Sequence, residues 1–452
     1  NWNSIRRSIR GHTMDYEIER MVLKKEWFGV VPIILLVAAI GFSPSFSAGR
    51  LPDGKVIEIR AEDILLVALG LVWIANFFIT KRRSIERPPL FLPIIAWLSV
   101  ICISTLTNLF FGNLEFQRGF FYTLKEIEFF FIYFYLFYHL RSRQAVQWVV
   151  KLWIAIAVVQ IAWILFQIVF GLKITYYYSY TTLIEPEGTS PGGGFLLLIF
   201  AVLLNVFLYH YVRANIPLLQ KWLLLFATFL PVVGIWTSGS RGVLLGFIGA
   251  IFFTAFLYAR KSHLMPAFLG FLALAIILGG LLLWRISIEP PSFLIVLIGG
   301  EEETYRLVDI KRFLWEINPE NSSSRVGIWI HTMTALSKEP LLLILGHGKS
   351  AEVGREQSHS SYLQVLVETG IVGIFLFFIL ILSVIKIAWQ GFAKSKDTFI
   401  IGLSAGLLTA TVAILLLSIP GEAFQVVKIA EVYWAFTAVT MAALYTQARA
   451  EK

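Results

Sequence analysis

Long runs of apolar residues alternate with short polar segments over almost the whole chain. A helix that spans the hydrocarbon core of a bilayer needs about 20 mostly apolar residues. Twelve segments meet this requirement, and the fourth is the least regular because Lys125, Glu126 and Glu128 interrupt it. The predicted spans are 27–46, 62–80, 90–111, 119–138, 145–170, 192–212, 222–239, 242–259, 264–284, 360–386, 398–419 and 429–446. The pattern therefore predicts an all-α polytopic membrane protein with about twelve transmembrane helices.

The composition supports this fold class. Of the 452 residues, 57% are hydrophobic and 15% are charged, and the mean hydropathy is +0.74. Soluble domains carry about 25% charged residues, so this chain lacks the polar side chains to cover a soluble globule of its size. Cys102 is the only cysteine, which excludes an intramolecular disulfide framework and a cysteine-rich metal site.

Lys and Arg residues are concentrated in every second polar segment, starting with 1–26, and are sparse in the short segments between them. Because cytoplasmic loops carry the excess of Lys and Arg, we expect both termini in the cytoplasm. The net charge of +9 suits membrane lipids with anionic headgroups and phosphates. No basic stripe interleaved with aromatic residues indicates a nucleic acid as partner.

Residues 285–358 depart from the regular pattern of short loops and form a long loop on the predicted outer side. Three stretches in it have apolar periodicity, at 292–300, 305–317 and 325–346, so we expect short helices there. Ser324 is suited to cap a helix that starts at Arg325, and we expect Pro340 to end that helix. The predicted organisation is a cytoplasmic segment 1–26, transmembrane helices 1–9 over 27–284, the loop 285–358, transmembrane helices 10–12 over 359–446 and a cytoplasmic tail 447–452.

Arg241 is the first candidate for function, because charged groups at or within a membrane are costly. It lies in TSGSRG, where two predicted spans meet with almost no loop, and Ser240 and Gly242 flank it. Glycine lets the backbone approach a ligand closely, and the N–H groups at the start of the eighth span are suited to bind an anion. The alternative is an arginine that extends to the membrane interface. The Gly and Ser neighbours favour the interpretation in which Arg241 binds a ligand.

Arg325 and His359 are two further candidates on the same predicted side. A guanidinium near a helix start can bind a phosphate group at two points, whereas a surface ion pair with Glu320 or Glu339 is the alternative for Arg325. His359 precedes SSYLQVLVETGIVG, at the junction of the long loop and the tenth span. A neutral imidazole there can accept a proton from a sugar hydroxyl, although a lone histidine at a helix start is more often a cap.

Several other polar residues allow more than one interpretation. Lys125, Glu126 and Glu128 either pair among themselves or with Lys151, or line a polar cavity. The outer histidines have no metal-binding spacing, so we expect no metal site. GHGKS at 346–350 matches the end of a phosphate-binding P-loop, but the first glycine of that motif would fall at Leu343. We interpret it as a chance match.

Three pieces of the chain together resemble the superfamily of O-antigen ligases and O-antigen polymerases, which are bacterial envelope enzymes. They are the TSGSRG turn, a pattern in the long loop, and HSSYLQVLVETGIVG. In the third piece Ser360 stands where the family has asparagine, whereas Tyr362, Gly370 and Gly373 agree with it. The loop pattern consists of Arg325, Trp329, Pro340, Gly346 and Gly348. The layout of spans with a large outer loop between the ninth and tenth also agrees.

The resemblance implies a glycosyltransferase of the GT-C type in the bacterial inner membrane, with its active site facing the periplasm. The implied donor is a glycan linked to undecaprenyl diphosphate, and the implied acceptor is lipid A–core or another lipid-linked glycan. Arg241 and Arg325 would hold the diphosphate, His359 would be the catalytic residue, and Ser240, Gly242, Tyr362 and Lys125 are possible additional contacts. Preorganised guanidinium groups can stabilise the leaving diphosphate, so no metal or other cofactor is expected.

Two reactions are compatible with this resemblance. A ligase transfers a finished glycan to lipid A–core, and a polymerase transfers it to another lipid-linked unit. The order of the motifs and the position of the loop favour the ligase. A secondary transporter is a third hypothesis, since twelve spans are common among transporters. It ranks behind the other two because no internal repeat is visible in the sequence.

Overall fold

The computed structural model describes residues 31–42, 45–50, 56–80, 87–170, 189–262, 324–351 and 359–450. Nearly all of these residues are helical. A short antiparallel hairpin, β1 (Ser45–Arg50) and β2 (Val56–Arg60), joins the first two helices where the sequence predicted a loop. The helices, in chain order, are α1 (Val31–Phe42), α2 (Ala61–Thr80), α3 (Phe91–Phe110), α4 (Phe116–His139), α5 (Arg143–Phe170), α6 (Thr189–Val206), α7 (Leu218–Phe229), α8 (Pro231–Thr237), α9 (Arg241–Ser262), α10 (Arg325–Ser337), α11 (Pro340–Leu345), α12 (Ser361–Lys394), α13 (Thr398–Leu417) and α14 (Val427–Ala450).

The all-α polytopic membrane fold is confirmed. Within the described ranges, eight helical stretches are long and apolar enough to cross a membrane, with α7 and α8 forming one of them. The first predicted span is a shorter apolar helix, and the second and fourth are the helices α2 and α4. The ninth predicted span, 264–284, lies outside the described residues, so the count of twelve stays a prediction.

Three helices form the centre of the bundle. The apolar stretches of α6, α13 and α14 are 94%, 83% and 89% buried, respectively. The apolar stretches of the other five candidate membrane spans are at most 39% buried. Gly402 and Gly406, one turn apart on α13, allow this packing, because a Cβ atom there would stand 2.9 and 2.8 Å from the Cα atoms of Val206 and Val202 on α6. Small residues let helix backbones approach each other closely in membranes. The remaining helices surround this centre and expose apolar faces, as expected against lipid.

Two helices are interrupted, and each interruption has a local cause. Pro231 begins α8 two residues after Phe229, where α7 ends. Proline has no N–H group and is therefore tolerated at the first helical position. In α12, Gly370 has φ 68° and ψ −169°, so the helix consists of a half-helix 361–369 and a longer segment 371–394.

The described part of the long loop contains two short helices. The Ser324 side chain accepts a hydrogen bond from the Gly327 N–H (2.9 Å), which confirms the predicted cap of α10. The prediction that Pro340 ends this helix is wrong. The helix ends at Ser337, and Pro340 occupies the first turn of α11, where its missing N–H is no loss. The stretches 292–300 and 305–317 lie outside the described residues.

Candidate functional site

The turn before α9 is built by short polar side chains. The Ser238 hydroxyl donates to the Ile235 carbonyl (2.7 Å), and Gly239 adopts φ 60°. The Val243 N–H donates to the Ser240 hydroxyl (3.4 Å), so Ser240 caps the helix that Arg241 begins. The sequence therefore places a half-buried guanidinium and the first N–H groups of a 22-residue helix at the same point.

The start of α12 is fixed to the connection between α13 and α14, residues 418–426. The Ser361 N–H donates to the carbonyl oxygens of Ser418 (3.1 Å) and Gly421 (2.9 Å). The His359 N–H donates to Glu422 Oε1 (3.1 Å), and His359 itself adopts φ 49° with an exposed side chain. Tyr362 donates to the Leu415 carbonyl (2.7 Å). Its hydroxyl is therefore engaged within the protein, and its ring stacks on another aromatic side chain.

The same connection also contacts the start of α9. A Cβ atom at Gly242 would stand 3.1 Å from both the Leu417 and the Pro420 side chains. Arg241 begins α9, and His359 lies two residues before α12. These two helix starts, which are far apart in the sequence, both pack against residues 417–422. Glu422 and Ser418 were not among the predicted site residues. One feature of the sequence could have pointed to Glu422: it is an acidic residue that follows Pro-Gly in the short connection between the last two spans.

Arg325 lies at the start of α10, where Ser324 and Gly327 are buried. The Leu336 side chain at the other end of α10 packs with Ala351 and Val367 in a small apolar cluster separate from the main core. This cluster attaches α10 to α12. The placement of the Arg325 side chain beside Arg241 stays a prediction.

The GHGKS segment packs inside the protein. Lys349 is 5% exposed and forms ion pairs with Glu126 (3.1 Å) on α4 and Glu368 (2.8 Å) on α12. Burial alone would lower the pKa of Lys349, but the two carboxylates outweigh it and the pKa is raised above its ordinary value. The lysine is therefore a buried cation with two partners, and sequence analysis did not assign it this role.

Residues 225–378 match the O-Antigen ligase family. This segment is similar to that family. It extends from α7 into α12 and contains all three predicted principal residues, Arg241, Arg325 and His359, together with Lys349. The resemblance seen in the sequence is thereby confirmed at the level of the superfamily. No curated protein matches the chain.

Outside the matched segment 225–378, the charges of α4 are paired. Lys125 forms ion pairs with Asp63 on α2 and with Glu128 (2.9 Å), whereas Glu126 accepts from Trp97 Nε1 (3.1 Å) and from Lys349. The alternative in which this group pairs with Lys151 is wrong. The Lys151 ammonium lies 4.8 Å from the Trp148 ring centroid on an exposed face of α5. Lys125 is thus engaged in ion pairs, which do not support a contact with substrate.

A group of carboxylates near the start of α14 has the composition of a cation site. One oxygen each of Glu62, Asp63 and Glu431 lie within 4.8 Å of one another. The fully buried Lys428 ammonium contacts Glu62 and Glu431, the latter at 3.0 Å. A lysine therefore already supplies a cation to two of these three carboxylates.

Proposed function

We propose that the protein is a glycosyltransferase that transfers a glycan from undecaprenyl diphosphate to lipid A–core at the periplasmic face of the inner membrane. One observation carries the proposal most strongly. The helix starts that carry Arg241 and His359 pack against the same connection, residues 417–422, and both lie in the matched segment 225–378. A cation suited to a diphosphate and a base suited to a hydroxyl thus belong to one end of the bundle.

Arg241 is suited to hold the diphosphate of the donor. Its guanidinium offers donors in a planar fork, and the first N–H groups of α9 add a second set of donors that favour negative charge. The diphosphate gains negative charge as the bond to the sugar breaks, so groups already in place stabilise the transition state more than the ground state. Arg325 would contribute the second guanidinium.

His359 is suited to accept the proton of the acceptor hydroxyl. Its side chain is exposed, and its backbone N–H donates a hydrogen bond to Glu422. This hydrogen bond fixes the backbone of His359 just before α12 begins. An imidazole titrates near neutral pH and can act as a general base in its neutral form. The sugar carbon would then bond to the acceptor oxygen, while the diphosphate leaves with the bonding electrons.

Polymerisation is the second candidate function, since the family match is equally compatible with it. The two reactions share the donor and differ in the acceptor. An acceptor that is itself lipid-linked would yield a longer lipid-linked glycan, whereas lipid A–core would yield a finished lipopolysaccharide. The proposed roles of Arg241, Arg325 and His359 are the same in both.

The test uses the purified protein in nanodiscs with undecaprenyl diphosphate-linked glycan and two acceptors, lipid A–core and a second lipid-linked glycan. His359→Ala should lower turnover by roughly 10²- to 10⁴-fold while donor binding survives. His210→Ala is the matched control, because His210 contacts Thr398 (3.0 Å) near the start of α13, away from the proposed site. Transfer to lipid A–core identifies a ligase, and a ladder of longer lipid-linked chains identifies a polymerase.

The arginines are tested by replacement with lysine, which retains the charge but loses the two-point contact. Arg241→Lys and Arg325→Lys should each reduce turnover strongly, whereas Arg143→Lys, in an exposed ion pair with Asp397, should not. Near-normal turnover of both variants would refute the diphosphate contact. If no acceptor receives glycan in a reaction that depends on His359, the glycosyltransferase proposal fails and the transporter hypothesis takes its place.

A further inference from the structure

The half-helix 361–369 is a separate unit with a fixed beginning and a fixed end. It begins directly after His359, where residues 418–421 accept its first N–H group. It ends at Gly370, whose φ of 68° separates it from the rest of α12. Any displacement of this half-helix would move His359 relative to the bundle, because the two are adjacent in the chain.

The end of the half-helix is held by the connector, which we define as residues 346–351. The His347 N–H donates to the Val367 carbonyl (2.8 Å), and the Gly348 N–H donates to the Glu368 carbonyl (3.0 Å). The neighbouring helix α3 completes the contact through Ser104, whose hydroxyl donates to the Glu368 carbonyl (2.7 Å). The Lys349 N–H donates to the hydroxyl of Thr105 (3.0 Å), also on α3.

Lys349 lies at the centre of these contacts, and both of its carboxylate partners are fully hydrogen-bonded. Glu368 Oε2 contacts the ammonium, while Glu368 Oε1 accepts from the Ser350 N–H (2.8 Å) and from Gln364 (3.0 Å). Glu126 Oε2 contacts the ammonium, and its Oε1 accepts from an indole N–H. A buried ion group whose members are all satisfied stabilises one arrangement of its elements.

The connector also leads to the helix that begins with Arg325. Ala351 packs with Leu336 of α10 and with Val367 of the half-helix. Ser350 accepts a hydrogen bond from Arg118 Nε (3.0 Å) on α4. The connector therefore contacts α3, α4, α10 and the half-helix. Lys349 forms its buried ion pairs, whereas His347 Nε2 lies 3.2 Å from the exposed Glu339 carboxylate.

We propose that Lys349 is a positioning residue, which, through Glu126 and Glu368, fixes the half-helix that follows His359 relative to the helix that begins with Arg325. This inference rests on the proposed function, because it concerns the separation of the base from the diphosphate contact. A misplacement of about 1 Å can lower turnover by about 100-fold. Lys349 acts through the residues that it holds and does not touch the substrate.

The test removes the ionic contact without leaving a buried charge unpaired. The variant Lys349→Met/Glu126→Gln/Glu368→Gln replaces one lysine and two glutamates by neutral residues of similar size. The matched control is Lys428→Met/Glu62→Gln/Glu431→Gln, which makes the same three changes in the other buried lysine group. Thermal unfolding and size-exclusion profiles establish the folded fraction of each, and kcat and donor KM are measured per folded molecule.

We expect the Lys349 variant to have a kcat about 10- to 100-fold below that of the wild type, with a donor KM within a few-fold. The Lys428 control should retain the wild-type kcat. A general loss of stability would lower the folded fraction of both proteins and leave kcat per folded molecule unchanged. An unchanged kcat in the folded Lys349 variant would overturn the positioning role.

A distance measurement tests the same inference without activity. Spin labels at Ser337→Cys on α10, an exposed position, and Leu363→Cys on the half-helix, a half-buried position, are introduced in a Cys102→Ser background. The distance distribution should broaden in the Lys349 variant and stay narrow in the control. If the wild type transfers no glycan, the proposed function fails, and the distance distribution still decides the role of Lys349. An equally narrow distribution in the Lys349 variant would refute that role.

Discussion

Lys349 and Lys428 are both buried lysines that contact two glutamates, yet the groups around them differ in how completely they are paired. Around Lys349, every carboxylate oxygen of Glu126 and Glu368 has a hydrogen-bond donor. The group joins a loop segment to α4 and α12. Its contacts favour a single geometry, because a buried carboxylate oxygen that loses its donors is costly.

Around Lys428, as around Lys349, there are two carboxylates for each ammonium group, but the carboxylate oxygens are not all hydrogen-bonded. Glu62, Asp63, Glu128 and Glu431 face two ammonium groups, those of Lys428 and Lys125, which leaves an excess of two negative charges if all are ionised. Lys428 forms ion pairs with Glu62 and Glu431, and Lys125 forms ion pairs with Asp63 and Glu128. Glu128 Oε1 and Glu431 Oε1 are buried and accept no hydrogen bond from any residue that the structure describes. The comparison teaches that a buried lysine does not by itself indicate that all carboxylate oxygens around it are hydrogen-bonded.

The largest expected effect is that of Lys428→Met, because it withdraws one of two cations from four carboxylates, of which Glu62 and Glu431 are fully buried. Breaking a buried ion pair by removing one partner typically costs 3–5 kcal/mol, and we expect a loss of about that size in the free energy of unfolding. Denaturant unfolding in detergent measures it, with the exposed lysine variant Lys151→Met as control. A loss below about 1 kcal/mol would mean that the carboxylates are already neutralised.

Gly370→Ala tests the backbone geometry on which the Lys349 group depends. Alanine at φ 68° is strained, and its Cβ would contact the Ile344 carbonyl and the Gly346 nitrogen, which are backbone atoms that cannot rotate away. We expect a loss of about 2–3 kcal/mol in the free energy of unfolding. Gly112→Ala is the control, because Gly112 has φ 72° with no atom within 4 Å and should lose only about 1 kcal/mol. Equal losses would show that the packing at Gly370 contributes nothing.

Glu368→Gln and Glu431→Gln compare the two groups directly. An amide at Glu368 must turn its NH₂ toward either the Lys349 ammonium or the Ser350 N–H, so a loss of about 2 kcal/mol is expected in the free energy of unfolding. An amide at Glu431 lowers the excess negative charge and offers donors to its carboxylate neighbours. We therefore expect a change of less than about 1 kcal/mol, in either direction. The reverse order of the two losses would contradict the comparison.

Arg143→Ala should have the smallest effect on the free energy of unfolding, because it removes an exposed ion pair. It serves as a reference for the buried ion pairs. Arg143 is 54% exposed in its ion pair with Asp397 (2.7 Å). Exposed ion pairs contribute about 0.2–1 kcal/mol, and we expect a loss in that range that decreases as salt is added. Melting curves at low and high ionic strength measure it. A loss as large as that of Lys428→Met would show that burial does not distinguish these ion pairs.

The sequence alone determined where the helices lie. The predicted span 145–170 corresponds to Arg143–Phe170, and 398–419 corresponds to Thr398–Leu417. Such boundaries can be predicted because a spanning helix must satisfy its backbone hydrogen bonds internally and cover its length with apolar side chains. Arg241 and His359 were also predicted as site residues from local context, since each is a polar residue at the predicted outer end of a span, and their roles stay predictions.

Only the tertiary structure decided which polar residues meet. Ser104 and Glu368 are 264 positions apart in the chain and share one hydrogen bond, and no periodicity connects them. The sequence analysis dismissed GHGKS as a chance motif, whereas the fold buries its lysine between Glu126 and Glu368. It also left the charges of α4 undecided, and the structure divides them between two groups on different faces of that helix. Hydropathy indicates which segments are able to span the membrane, but the partner of a buried charge depends on which helices pack together.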